Sequence, residues 1–121
     1  MIRGVRGATT VEKNEEAEIV SATRILLSSI IAENEIIPEQ VASVFISVTE
    51  DLTSVFPAKA LREIEGWTHV PVMCMREIPV PGSLAGCIRI MLHLNTDKSQ
   101  IDIQHVYQER AVVLRPDLTA K

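Results

Sequence analysis

Aromatic residues are nearly missing from this chain. Only 3% of its 121 residues are Phe, Trp or Tyr, so the core has to be aliphatic. The same scarcity leaves little on which to stack bases, and positive charge is not in excess: the formal net charge is −4 and the pI is near 5.3. Both points turn the reading away from nucleic acid. Cysteine is scarce too. Cys74 and Cys87 make no disulfide framework and point to a reduced, cytoplasmic protein. No apolar run is long enough to span a bilayer, and the N-terminus opens on a strand pattern rather than on the apolar stretch of a signal peptide. His69, His93 and His105 lack metal-ligand spacing. The glycines of "GVRG" and "PGSLAG" match neither the phosphate-binding nor the dinucleotide fingerprint. No Ser-His-Asp order is visible.

What remains is ordinary for one globular domain covering 1–121. Hydrophobic residues make up 46% and charged residues 23%. Residues 2–10 alternate as a strand. Asn14 then reads as an N-cap, with Glu15 and Glu16 placed for the helix dipole. Ile19, Ala22, Leu26 and Ile30 recur at helical spacing, widened by Val20, Leu27 and Ile31, and predict a helix ending near Asn34. Residues 42–50 read as a strand with Val44, Ile46 and Val48 on one face. Residues 57–66 read as a short second helix between Pro57 and Gly66. Residues 69–76 read as a third strand, and Pro71 within it argues for a sheet edge or an irregular ladder. Residues 79–84 are a turn, 87–95 the clearest strand, and 105–107 a short last one before a tail. The order predicts an α+β sandwich: a mixed sheet of four to five strands with one long and one short helix on one face. The other face would carry Arg6, Phe45, Met73, Arg89 and Met91, a mixture suited to self-assembly.

Arginine supplies the candidate chemistry. Arg6 shares its strand face with Ile2, Gly4, Ala8 and Thr10, where a guanidinium needs an anion from the protein or from a ligand. Arg89 stands beside His93 and Asn95 on its face and reads equally as a solvated charge. Glu77 is either a strand-end carboxylate paired with Arg76 or Arg89, or a carboxylate at a pocket mouth. Lys59 and Arg62, at i and i+3, fit a solvated helix face. Cys74 reads as a buried, inert thiol. Tyr107 is a core residue with its hydroxyl at the rim, or a ligand contact. The residues alone point to an anion site, not to hydrolytic or redox chemistry.

Four strings go further. "MIRGVRGATTVE", "TEDLTSVFPAKALRE", "VPVMCMREIPVPGSL" followed by "CIRIMLHLNT", and "HVYQERAVVLRPDL" resemble, in order and over nearly the whole chain, the monofunctional chorismate mutases of the AroH type. The resemblance implies a homotrimer in which three sheets pack into a pseudo-α/β-barrel core, with active sites in the clefts between subunits. It implies a Claisen rearrangement of chorismate to prephenate in aromatic amino acid biosynthesis, with no cofactor and no metal.

Carried over by position, Arg6 resembles the arginine that grips a substrate carboxylate, with Tyr107 beside it. Arg89 resembles the cation that bonds the ether oxygen. Glu77 and the backbone at Cys74 resemble the partners of the ring hydroxyl, with Glu77 also positioning Arg89. Phe56, Ala58, Lys59 and Arg62 resemble the wall and rim given across the interface. Leu114 and Arg115, in a mobile tail from about residue 111, resemble the residues that close over the site. Met73 departs from the pattern, since a smaller and often polar residue is expected in that part of the wall. Two rival readings are an imine deaminase of the RidA type, whose glycine and glutamine signatures are not evident, and a non-catalytic trimer that binds a metabolite.

Overall fold

Strong alternation makes the two longest strands. In β4 (Cys87–Asn95), Ile88, Ile90, Leu92 and Leu94 are all buried, and their neighbours in sequence face the other way. β4 pairs antiparallel with β1 (Ile2–Thr10) along its full length, from Ile2↔Asn95 to Thr10↔Cys87. The computed structural model describes residues 1–119. On its other side β4 pairs antiparallel with β2 (Val41–Val48), with a register irregularity between Val41 and Ser43. β3 (Val72–Arg76) adds parallel to β2, and β5 (Val106–Tyr107) parallel to β1. The sheet is therefore mixed and five-stranded, in the order β3-β2-β4-β1-β5. Pro71 precedes the edge strand β3 and contributes only its carbonyl, which accepts from the Val44 N–H at 2.9 Å. That is how the proline fits the ladder, and why the strand starts later than residue 69.

Helix α1 (Glu16–Asn34) covers one face. Ile19, Leu26, Leu27 and Ile30 on its apolar stripe are fully buried against β1, β2 and β4. The closeness of that packing explains one of the opening glycines. A Cβ on Gly7 would lie 2.6 Å from Ile30 Cδ1 and 3.2 Å from Leu26 Cδ1, so the helix sits where a side chain would be. Gly7→Ala should therefore destabilise the fold by about 1–3 kcal/mol through overpacking. Chemical unfolding reads this directly, and an unchanged midpoint would refute the tight contact.

Two local expectations are corrected. The helix N-cap is Glu15, with no side-chain capping bond, and Asn14 is used elsewhere. Its Oδ1 accepts from the backbone N–H groups of Thr53 and Ser54 at 3.0 and 3.1 Å, and its Nδ2 donates to Thr53 Oγ1. An amide engaged in a long-range clip cannot also cap its own helix. The second helix is a 3-10 segment, Pro57–Glu63, shorter than 57–66, and Gly66 follows it at φ 89°. It packs against α1, to which the ion pairs Lys59–Glu16 and Arg24–Glu63 join it. After β5 the chain forms a 3-10 turn, Glu109–Val113, and a short α2 (Pro116–Thr119). Ala111 is buried with Ala8 and Cys87, and Tyr107 and Leu114 pack on that group. Residues 120 and 121 of the tail lie outside the described residues. Among the described residues no helix is long and apolar enough to cross a membrane.

Candidate functional site

The face that α1 leaves uncovered carries the candidate site. Residues paired across a ladder share a face, so the registers Arg6↔Met91, Ala8↔Arg89, Phe45↔Met91 and Ser47↔Arg89 put all six side chains on that side. Tyr107, opposite Ala8, and Met75, opposite Ser47, extend the face to both edge strands. Arg6 and Arg89 are thus diagonal neighbours on adjacent strands. Leu114 and Arg115 of the tail wall off the cavity above them, which has a volume of about 350 Å³.

Glu77 joins this face although it lies just beyond β3. Its N–H donates to Val48 O at 2.8 Å, which prolongs the ladder, so 73, 75 and 77 point the same way. Its Oε2 lies 3.1 Å from Arg89 Nε and accepts from Ser47 Oγ at 3.1 Å. The Glu77 side chain is 27% exposed and that of Arg89 is 47% exposed. This resolves the choice of partner: Glu77 pairs with Arg89, whereas Arg76 binds Glu50 at 2.8 Å. The pair engages Nε, and a guanidinium carries four further N–H bonds on its terminal nitrogens. One carboxylate can therefore fix the fork while the fork's end addresses a ligand. Ser47 is a neighbour of the candidate site that sequence reading missed. Alternation puts it on the face of Phe45, but only the strand register sets it opposite Arg89.

Arg115 holds Asp117 in a bidentate pair, Nε–Oδ1 3.0 Å and Nη2–Oδ2 2.8 Å. Hydrogen bonding from this guanidinium lowers the Asp117 carboxyl pKa below its ordinary value. His105 accepts a hydrogen bond from the Arg6 N–H through Nδ1 at 3.0 Å, another contact invisible in the sequence. Burial lowers its pKa, and the nearby Arg6 and Arg115 charges lower it further.

The remaining candidates lie elsewhere. Phe56, Ala58, Lys59, Arg62, Met73 and Cys74 line a second recess, of about 480 Å³, between β3 and the 3-10 segment. Strands β2 and β4 separate β3 from β1, so these six residues do not meet Arg6 or Tyr107 within one chain. Phe56 is 77% exposed and Met73 61%. Lys59 Nζ reaches Glu16 at 2.8 Å. The Cys74 side chain alternates to the helix-covered face and is half-buried, not buried, because β3 is an edge strand; partial burial still raises its thiol pKa above the ordinary value despite a hydrogen bond with the Ala58 backbone. The same desolvation raises Cys87, against the opposing effect of Arg89. Neither environment activates a thiolate near neutrality.

One sheet face thus offers two cations, a carboxylate that orients one of them, and a phenol beside an apolar wall. That arrangement can hold a small dianion and stabilise charge that develops between its ends. Comparison with known proteins identifies the family. The family model described as chorismate mutase type I matches residues 2–118. "Chorismate mutase AroH" of Bacillus subtilis (strain 168) is 56% identical over 119 residues, 98% of this chain and 94% of that protein. "Chorismate mutase AroH" of Thermus thermophilus is 50% identical over 119 residues, 98% of this chain and 97% of that protein. A solved chorismate mutase from Clostridium thermocellum superposes with a TM-score of 0.88 at 48% identity, covering 91% of this chain and 97% of that one. Likeness of this extent over both sequence and fold sets the imine deaminase reading aside, and the chain belongs to the chorismate mutase type I family.

Proposed function

We propose that this protein rearranges chorismate to prephenate, in aromatic amino acid biosynthesis, at the Arg6–Arg89 cleft, and that a second copy of the chain completes each site. The observation that carries the reading is the pair of arginines on adjacent strands of the uncovered face, with Glu77 3.1 Å from Arg89. Chorismate brings two carboxylates, an ether oxygen and a ring hydroxyl. Arg6, beside Tyr107, grips a carboxylate. Arg89 bonds the ether oxygen, where negative charge grows as the C–O bond breaks. Glu77 steers Arg89 and, with the backbone at Cys74, receives the ring hydroxyl.

The reaction is unimolecular, so the protein supplies shape and field. Binding folds the enolpyruvyl arm over the ring in a near-attack form. Fixed cations then favour the dipolar transition state over the ground state. Leu114 and Arg115, in the segment from about residue 111, close over the bound substrate.

The second recess supports completion by a neighbour. Phe56, Ala58, Lys59, Arg62 and Met73 sit at one edge of the sheet and the arginine cleft nearer the other. A head-to-tail contact between these unlike surfaces closes into a ring when the rotation allows, here a homotrimer with a barrel-like centre and three equivalent sites. Met73 then shapes the wall of its neighbour's site. The two free cysteines fit a cytoplasmic setting.

Loss of chorismate absorbance on adding purified protein, with prephenate identified as product, tests the activity. Saturable conversion is expected. A folded protein that converts nothing would leave a metabolite-binding role instead. Mixing subunits tests the shared site. Arg89→Ala and the double variant Lys59→Ala/Arg62→Ala, each weak alone, should on coexpression regain about a quarter of wild-type activity by random assortment around a ring. Activity no higher than the mean of the two would place the site within one chain.

A further inference from the structure

The proposed mechanism leaves unused His105, a half-buried imidazole that touches the backbone of Arg6. The parallel ladder between β1 and β5 begins at Gly7↔Val106, so the Arg6 N–H lies one residue before it. His105 fills that gap: its Nδ1 accepts from Arg6 N at 3.0 Å. The ring is held from a fixed base. Asn34, buried at the end of α1, clips the backbone of Gln104 on both sides, donating from Nδ2 to Gln104 O at 2.9 Å and accepting the Gln104 N–H on Oδ1 at 2.8 Å. Beyond β5, Gln108 donates its N–H to Ala8 O and its Nε2–H to Ser29 Oγ, both at 2.9 Å. His105 therefore stands at the junction of two walls of the cleft. One is β1 with Arg6, and the other is β5 with Tyr107 and the tail with Leu114 and Arg115.

We propose that His105 is a positioning residue for substrate binding, whose Nδ1 sets the backbone of Arg6 and joins it to the segment that carries Tyr107. This rests on Arg6 binding a substrate carboxylate, as proposed above. The role needs a neutral ring with its proton on Nε2, because a protonated Nδ1 would oppose the Arg6 N–H donor to donor. Burial and the two neighbouring guanidiniums favour the neutral form. The effect belongs in binding more than in turnover, since His105 itself does not line the cavity.

His105→Leu removes the acceptor, and His105→Asn keeps one, because Asn Oδ1 can stand where Nδ1 does. His105→Leu should raise KM for chorismate about five- to tenfold, the factor one lost hydrogen bond is worth. It should leave kcat within about twofold, the split expected when uniform binding is lost. His105→Asn should return KM to near the wild-type value. In an Arg6→Ala background His105→Leu should add little, because the backbone that His105 sets then carries no guanidinium to place. Unchanged KM in His105→Leu, equal damage in His105→Asn, or a full further effect in the Arg6→Ala background would each overturn the proposal. Should His105→Leu fail to fold, the imidazole ¹⁵N shifts of the wild-type protein decide. A neutral ring protonated on Nε2 with a hydrogen-bonded Nδ1 is expected, and a proton on Nδ1 refutes the role. Wild-type turnover is the control. Its absence would overturn the functional reading and this proposal together, whereas turnover with unaltered KM in His105→Leu overturns this proposal alone.

Discussion

Arg89→Ala should cut kcat for chorismate by about a hundredfold to a thousandfold, the range for removing one preorganised donor aimed at developing charge. In the proposed role the ether oxygen gains negative charge only as the C–O bond breaks, so a contact from Arg89 would strengthen on the way to the transition state and act on kcat. The structure holds Arg89 in a way that suits the proposed task. Its Nε is tied to Glu77, Glu77 is tied to Ser47, and β4 gives it a rigid root between β1 and β2. The deletion also leaves Glu77 without its cation, at a site where negative charge is unwelcome. Arg89→Lys keeps the charge but loses the planar fork that can bond Glu77 and a ligand at once, so it should fall between alanine and wild type. Steady-state kinetics on the purified variants, with unfolding curves to show that each is folded, measure the loss. Near-normal turnover by Arg89→Ala would remove Arg89 from the chemistry.

Arg6→Ala should act mainly on KM, raising it by up to about a hundredfold, because a charged hydrogen bond between arginine and carboxylate contributes about 1.5–3 kcal/mol. The substrate carboxylate is present in ground and transition states alike, so this interaction is closer to uniform binding. A substrate analogue that lacks the contacted carboxylate would then bind wild type and Arg6→Ala alike. A kcat effect as large as that of Arg89→Ala, with KM unmoved, would contradict this division of labour between the two arginines. The fold should survive the change, since Arg6 projects from the face that α1 does not cover.

These expectations depend on different layers of information. Strand β4 and helix α1 were legible because their apolar residues repeat with periods of two and of about four, and burial follows that pattern. Pro71 pointed to an edge strand or an irregular ladder, since a missing N–H fits few places in a sheet, and β3 is an edge strand that begins just after it. Asn14 misled because a residue suited to capping is equally suited to clipping a distant loop, and only the approach of residues 53 and 54 decides between them. The 3-10 segment was read as a longer helix because Pro57 and Gly66 bracket it as they would bracket an α-helix.

The site divides in the same way. Its cations, the carboxylate and the tyrosine could be named from the family resemblance, and Arg6 stood out alone because its strand face was otherwise small or apolar. Sequence by itself determined the aliphatic core, the alternation that sends Arg6 and Arg89 away from that core, and the family. Only the tertiary structure decided that Glu77 pairs with Arg89 and not Arg76, that Ser47 and His105 stand behind the two arginines, and that Phe56, Lys59 and Met73 lie apart from them. The physical reason is register. Period-two alternation says which face a side chain takes, but which residue it meets depends on how separate strands slide against one another, and that is set by packing between segments far apart in the chain.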